Sequence, residues 1–376
     1  MEILERNLEY MESEQKIGKI EAICLIVMVT VNEIIFNIPN FVIKDCGSSA
    51  WLTLIMHFAF IIVFVLLISK FFEELGSKDL IDVSEYLGGK ILKWIIGILY
   101  IALIIAVCSY ILRYFSNVLE LVYFDSTPTS FLLLLFLIGA IFGAKHKIKT
   151  ISFVNLLIFP ILLLAMIIIL VSTIKDIVPQ RIFPILGFGT YKTFISGFST
   201  IFTFGEIAYL YFLMPILKNP QDYKKVALSS IIISGIYMLF SILCLIMVFP
   251  YAAFTDETLS MYLLTRRIAF GKFFQRIDAM FILFWILSVL VFLSMNLCFA
   301  NNTLKKLINI KHESGLSYSL SLIIFSIALS FESIAYMKQI LNGYIKYVFI
   351  ILCLVLSFII MFFAYLKHKK ESIKNA

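Results

Sequence analysis

The sequence predicts an all-α polytopic membrane protein: ten transmembrane helices laid out as a 5+5 inverted repeat, with helices 1 and 6 broken. Three observations predict this. Hydrophobic residues make up 61% of the 376 positions and charged residues 15%, with a mean hydropathy of +1.01. Soluble domains run near half apolar and a quarter charged, so there is too little polar side chain here to cover soluble domains of this length. Apolar runs long enough to cross a bilayer, about 20 residues each, recur along the chain. Two of those runs are interrupted by polar residues, Gly and Pro at matching depth.

Within the segment 1–16, the first fifteen residues carry Glu2, Glu5, Glu9, Glu12 and Glu14 against Arg6. A secretory leader begins with a basic stretch, so this segment reads as a cytoplasmic tail or short surface helix. The transmembrane domain follows at 17–366, and 367–376 reads as a cytoplasmic C-terminal tail. Within the domain the spans fall at roughly 18–42, 50–72, 92–120, 129–144, 150–174, 192–217, 224–250, 273–303, 316–331 and 343–366. The first repeat covers about 17–174 and the second about 192–366. The runs are continuous rather than alternating, which excludes a β-barrel. All cysteines but Cys46 lie in apolar runs, and no two form a C-x-x-C pair, so they read as buried hydrophobes rather than a disulfide framework.

Lysine and arginine orient the bundle. With the N-terminus in the cytoplasm, inside segments carry 20 of them and outside segments 7; Arg113, Lys192, Arg276 and Lys346 fall within spans or at their outer ends. The positive-inside rule therefore places both termini in the cytoplasm. The same bias explains the net charge of +7 without a nucleic-acid partner. Two outside segments are long, 175–191 and 251–272, the second with an amphipathic stretch from Leu259 to Phe270.

The first span is interrupted by Asn32, Glu33, Asn37 and Pro39, and the sixth by Gly205, Glu206 and Pro215. Five crossings separate them, so they run in opposite directions. Transporters built from inverted repeats bind substrate near the midplane at such discontinuous helices. Irregular backbone survives at that depth only where it is buried in protein or lines a cavity. A carboxylate at a helix centre costs about 2.5 kcal/mol or more unless paired, protonated or hydrated. Glu33 and Glu206 thus suit a proton-coupled step or contact with a ligand ammonium, against the plainer reading of kinked, packed helices.

Candidate ligand contacts are Asn32, Glu33, Asn37 and Pro39 at the first break, Phe202, Phe204, Gly205 and Glu206 at the second, and Tyr110 on span three. Arg113, Arg276, Asp278 and Trp285 are candidates for structural or gating roles; Trp285 follows Asp278 by seven, on the same helix face. His57 reads as a packing residue. The pair Gly139 and Gly143 fits close helix packing. No His/Cys cluster, P-loop, G-x-S-x-G elbow or H-E-x-x-H occurs, so neither a cofactor nor an enzyme activity is expected.

The run Arg181, Pro184-Ile185-Leu186-Gly187-Phe188-Gly189, leading to Gly205-Glu206 and Pro215, resembles the endospore germination permeases. So do Phe274, Arg276, Asp278 and Trp285 at span eight, the ten-span plan and the short tails. The resemblance covers nearly the whole chain. It implies the amino acid–polyamine–organocation superfamily, a LeuT-like fold, and the role of B subunit of a nutrient germinant receptor. Such subunits sit in the spore inner membrane with an A subunit and a lipoprotein C subunit, and recognise amino acids or similar small nutrients. The first break lacks the Gly-rich stretch usual in amino-acid permeases, which puts carboxylate binding by that break in doubt. The alternatives are a proton-coupled amino-acid symporter and a water or ion channel subunit.

Overall fold

The computed structural model describes residues 16–35, 38–250, 260–267, 277–310 and 315–375. Helices dominate, and among the described residues there is no β-strand. Six helices are long and apolar enough to cross a membrane. The remaining predicted spans are two shorter apolar helices, 129–145 and 316–330, and the two interrupted ones.

The first interrupted span is α1 (Lys19–Ile35) followed by α2 (Ile38–Cys46). Gly18 N–H donates to Glu21 Oε2 at 2.6 Å, which satisfies one of the free amides at the start of α1. Pro39 sits in the first turn of α2, where no amide donor is required. The chain turns at Gly47 (φ +67) into α3 (Ala50–Leu75).

α4 (Leu80–Val122) starts well before the apolar run at 92–120. Asp79 caps it, accepting from the Ile81 and Asp82 amides at 3.1 and 3.0 Å. Gly88 and Gly89 (φ +67) then kink it, so that 80–87 forms a short helix of its own before the crossing. Lys306 Nζ lies 2.6 Å from both Asp79 Oδ2 and Asp82 Oδ2. Burial pushes the Asp79 carboxyl up to about 6, against the pull of the Lys306 ammonium.

α5 (Thr129–Lys145) and α6 (Lys147–Ser172) complete the first half. The Gly139/Gly143 face does pack closely: a side chain at Gly143 would overlap Ser294, and one at Gly139 would meet Leu290.

The sixth span departs most from expectation. In place of two half-helices around one break, the chain forms α7 (Thr190–Phe194), a 3₁₀ stretch Ser196–Thr203, a short α8 (Ile207–Leu210) and a 3₁₀ turn Met214–Ile216. Gly197, Gly205 and Pro215 all weaken an α-helix. The Thr200 hydroxyl bonds back to Gly197 O at 2.7 Å, which favours the tighter winding.

The second half continues with α9 (Tyr223–Val248), α10 (Ser260–Arg267), α11 (Ile277–Ile308) and α12 (Leu316–Ser330). α10 falls within the predicted outer amphipathic stretch; the rest of that stretch lies outside the described residues. The last span combines α13 (Ile334–Ile340), α14 (Lys346–Phe349) and α15 (Ser357–Asn375) with π-helical segments Leu341–Ile345 and Ile350–Leu356. α15 runs on through the lysines at 367, 369, 370 and 374.

The two interrupted spans lie antiparallel. Ile17 N–H donates to Ile216 O and Lys218 N–H to Ile17 O, joining the start of the first to the end of the second. Cys46 Sγ contacts Lys192 O at 3.5 Å, joining the opposite ends. α9 covers α1 and α3, while α11 packs on α4, α5 and α6. The 179–189 segment seals the Cys46 end: Ser48 Oγ donates to Pro184 O at 2.6 Å, and Gly187 is so close to Cys46 O that a Cβ there would overlap it.

Lys306→Met should lower unfolding stability by about 2 kcal/mol, below the 3–5 typical of a fully buried pair because Lys306 is 30% exposed. The loss should be larger at pH 8 than at pH 4. Asp79 has a raised carboxyl pKa, takes up a proton at the lower pH and then needs no partner. Chemical unfolding in micelles at the two pH values measures both effects.

Candidate functional site

Between the two breaks lies a cavity with about 100 Å³ of space for the centres of water-sized molecules. Its walls are mostly aromatic and aliphatic. α4 supplies Tyr100, Ile104 and Tyr110; the second broken span supplies Phe202, Gly205, Tyr209 and Phe212. α11 supplies Phe292 and Phe299, and the last span Lys346 and Phe349. Glu33 enters from the end of α1.

The breaks meet at Glu33. Its carboxylate accepts a hydrogen bond from the Gly205 amide. The approach is so close that a Cβ on residue 205 would overlap the carboxylate. Only a glycine leaves this space, which gives Gly205 a steric reason to be there. Glu33 Oε2 is buried with no hydrogen-bond partner, and so is the Tyr110 hydroxyl. Buried polar groups normally find partners. Both residues line the cavity, whereas Glu206, whose two carboxyl oxygens are likewise buried without a hydrogen-bond partner, does not.

Glu206 turns the other way. It is fully buried beside the Thr30 and Ser234 hydroxyls, which bond each other at 2.8 Å. It does not line the cavity. Asn32 is also turned away: its amide donates to Met28 O at 3.0 Å, and Ser288 Oγ donates to Asn32 Oδ1 at 3.1 Å, locking α1 to α11. Phe204 is buried outside the cavity wall, and Pro39 is buried in α2. Of the predicted ligand contacts, the structure brings Glu33, Tyr110, Phe202 and Gly205 together around one space. Asn37 lies outside the described residues.

Among the candidates for structural roles, Trp285 is buried in α11 and packs on Phe115, ring centroids 4.9 Å apart. Arg113 is half-buried on α4. Arg276 and the Asp278 side chain lie outside what the structure describes. His57 is buried, with Nε2 3.1 Å from Gly197 O, tying α3 to the 3₁₀ stretch.

Sequence reasoning missed Lys346, Tyr209, Phe292 and Phe299 as cavity residues. Lys346 carried a signal, a lone cation within an apolar run. The aromatics carried none, because they resemble every other aromatic residue in the chain. Among the described residues no His, Cys, Asp and Glu cluster could hold a metal ion.

A bundle built around two antiparallel broken helices, with a cavity between the breaks, defines a permease-type membrane protein of LeuT-like fold. The chain aligns over 88% of its length with a nucleobase-cation-symport-1 family transporter solved in a closed conformation with bromovinylhydantoin bound. The alignment covers 75% of that chain at 12% identity and a TM-score of 0.60. The spore germination protein model matches residues 16–337. The chain therefore belongs to the spore germination protein family of permeases. It is 22% identical to spore germination protein B2 of Bacillus subtilis (strain 168), over 62% of this chain and 64% of that one. It is 19% identical to spore germination protein YndE of the same organism, over 73% of this chain and 76% of that one.

Gly205→Ala should displace the Glu33 carboxylate from its amide. The expected cost is about 1–3 kcal/mol of stability, as for other overpacked sites. A melting-temperature shift of the purified protein reads it, and Gly343→Ala, where a Cβ meets nothing within 4 Å, controls for a general loss of backbone freedom.

Proposed function

We propose that this chain is the integral-membrane B subunit of a nutrient germinant receptor. In this reading it binds an amino acid or similar small nutrient in the aromatic cavity and signals germination to its partner subunits. The A subunit and the lipoprotein C subunit are the expected partners, the spore inner membrane the expected location, and the cytoplasm the side of both termini. The observation that carries the ligand role is an unmatched Glu33 Oε2 and an unmatched Tyr110 hydroxyl on residues that line one largely apolar cavity. A ligand ammonium would pair with that oxygen, and the Tyr110 hydroxyl would take a second polar group. Because Glu33 also holds the Gly205 amide, ligand contact at Glu33 alters the join between the two breaks. A ligand that prefers one arrangement of that join shifts the population toward it.

Proton-coupled symport of an amino acid is the second reading. It is favoured by the second buried carboxyl, Glu206, packed against Thr30 and Ser234 next to the first. Glu206 would then carry the proton while Glu33 meets the solute.

Spores carrying Glu33→Gln should need at least tenfold more of the cognate nutrient, since a hydrogen bond to a charged group is worth about 1.5–3 kcal/mol. Their response to other nutrients and their level of the protein should stay normal. An unchanged dose response to every nutrient would remove Glu33 from the ligand site. Symport is read separately: reconstituted protein that accumulates labelled amino acid only under an inward proton gradient, and loses this with Glu206→Gln, supports it.

A further inference from the structure

The cavity has a second charged group on its wall, Lys346, on a different span from Glu33. Lys346 is only 8% exposed. Among the described residues no carboxylate forms an ion pair with it. Its Nζ makes one long contact, 3.4 Å, with Ser199 Oγ, and lies 5.1 Å from the centroid of the Tyr347 ring. An ammonium withdrawn from water is costly without an anion to meet it, and one serine hydroxyl and one ring do not replace a counter-ion.

The backbone aims this residue deliberately. Lys346 opens a single α-helical turn, Lys346–Phe349, held between two π-helical segments. π-helical turns are rare and concentrate at functional sites. The result places Ile345, Lys346 and Phe349 on the cavity wall, while the neighbouring Tyr344, Tyr347 and Val348 are exposed.

We infer that Lys346 selects for an anionic group on the ligand, so that the cavity takes a small zwitterion. Its ammonium end meets Glu33, its carboxylate meets Lys346, and its apolar remainder lies against Tyr100, Phe292 and Phe299. A further charged group on the ligand would be buried without a partner and is rejected on that ground. A ligand carboxylate competes with Ser199 for the Lys346 ammonium, so occupancy is felt in the 3₁₀ stretch of the second broken span. This assignment rests on the proposed role of the cavity as the ligand site.

The test uses full-length protein in nanodiscs and isothermal titration. The probes are alanine, valine, leucine and phenylalanine, each paired with the amine it becomes on losing its carboxylate. Wild-type protein should bind at least one amino acid tenfold or more tightly than its amine. Lys346→Met should reduce that preference to less than threefold while still binding the amine, and Lys346→Arg should keep it. Where Lys346→Met does not fold, Lys346→Gln is read in the same way. A wild-type protein that binds the pairs equally, or a Met variant that keeps the preference, overturns the role of Lys346 alone. A wild-type protein that binds none of the probes overturns the ligand reading of the cavity and this assignment with it.

Discussion

The hydrogen bond from the Gly205 amide to the Glu33 carboxylate is the contact on which the rest depends. In hydrocarbon every backbone donor needs a partner, and an interrupted helix has several to spare. Here the side chain of one interruption serves the backbone of the other. Two local weaknesses, each expensive alone, meet and offset one another. The remaining architecture keeps them in register: α9 against α1 and α3 on one side, α11 against α4, α5 and α6 on the other. The cavity is the space left over where the two breaks are too irregular to pack flush against α4 and α11.

Much of this fold was legible in the sequence, because lipid demands so simple a pattern. The run expected at 129–144 is the helix Thr129–Lys145, and that at 224–250 is Tyr223–Val248. The breaks were legible because Asn, Glu, Gly and Pro are rare in such runs, and each carries a cost that calls for a reason. What stayed hidden is orientation. Gly205 and Glu206 are neighbours in sequence, yet Gly205 lines the cavity and Glu206 is turned toward Ser234. Phe202 and Phe204 divide in the same way. Assigning faces by a 3.6-residue period fails where the chain winds at three residues per turn. The last span fails for the opposite reason, since its π-helical turns are wider and displace the phase around Lys346.

The buried carboxyls differ in what they face, although both carry oxygens without a hydrogen-bond partner. Glu33 faces open space and its second oxygen is unmatched. Glu206 is enclosed among hydroxyls on α1 and α9. Their closeness ties what happens in the cavity to the packing behind it. Asn32 adds rigidity one residue earlier, with its amide spent on Met28 and Ser288, so that α1 and α11 are fastened just before the chain breaks.

The backbone clasp at Ile17 has a consequence of its own. Ile17 bonds both Ile216 and Lys218, while Cys46 and Lys192 meet at the far end. The two discontinuous spans are thus fastened to each other at both tips and joined in the middle. Neither can pivot without carrying the other, so they behave as one lever with its fulcrum at the carboxylate.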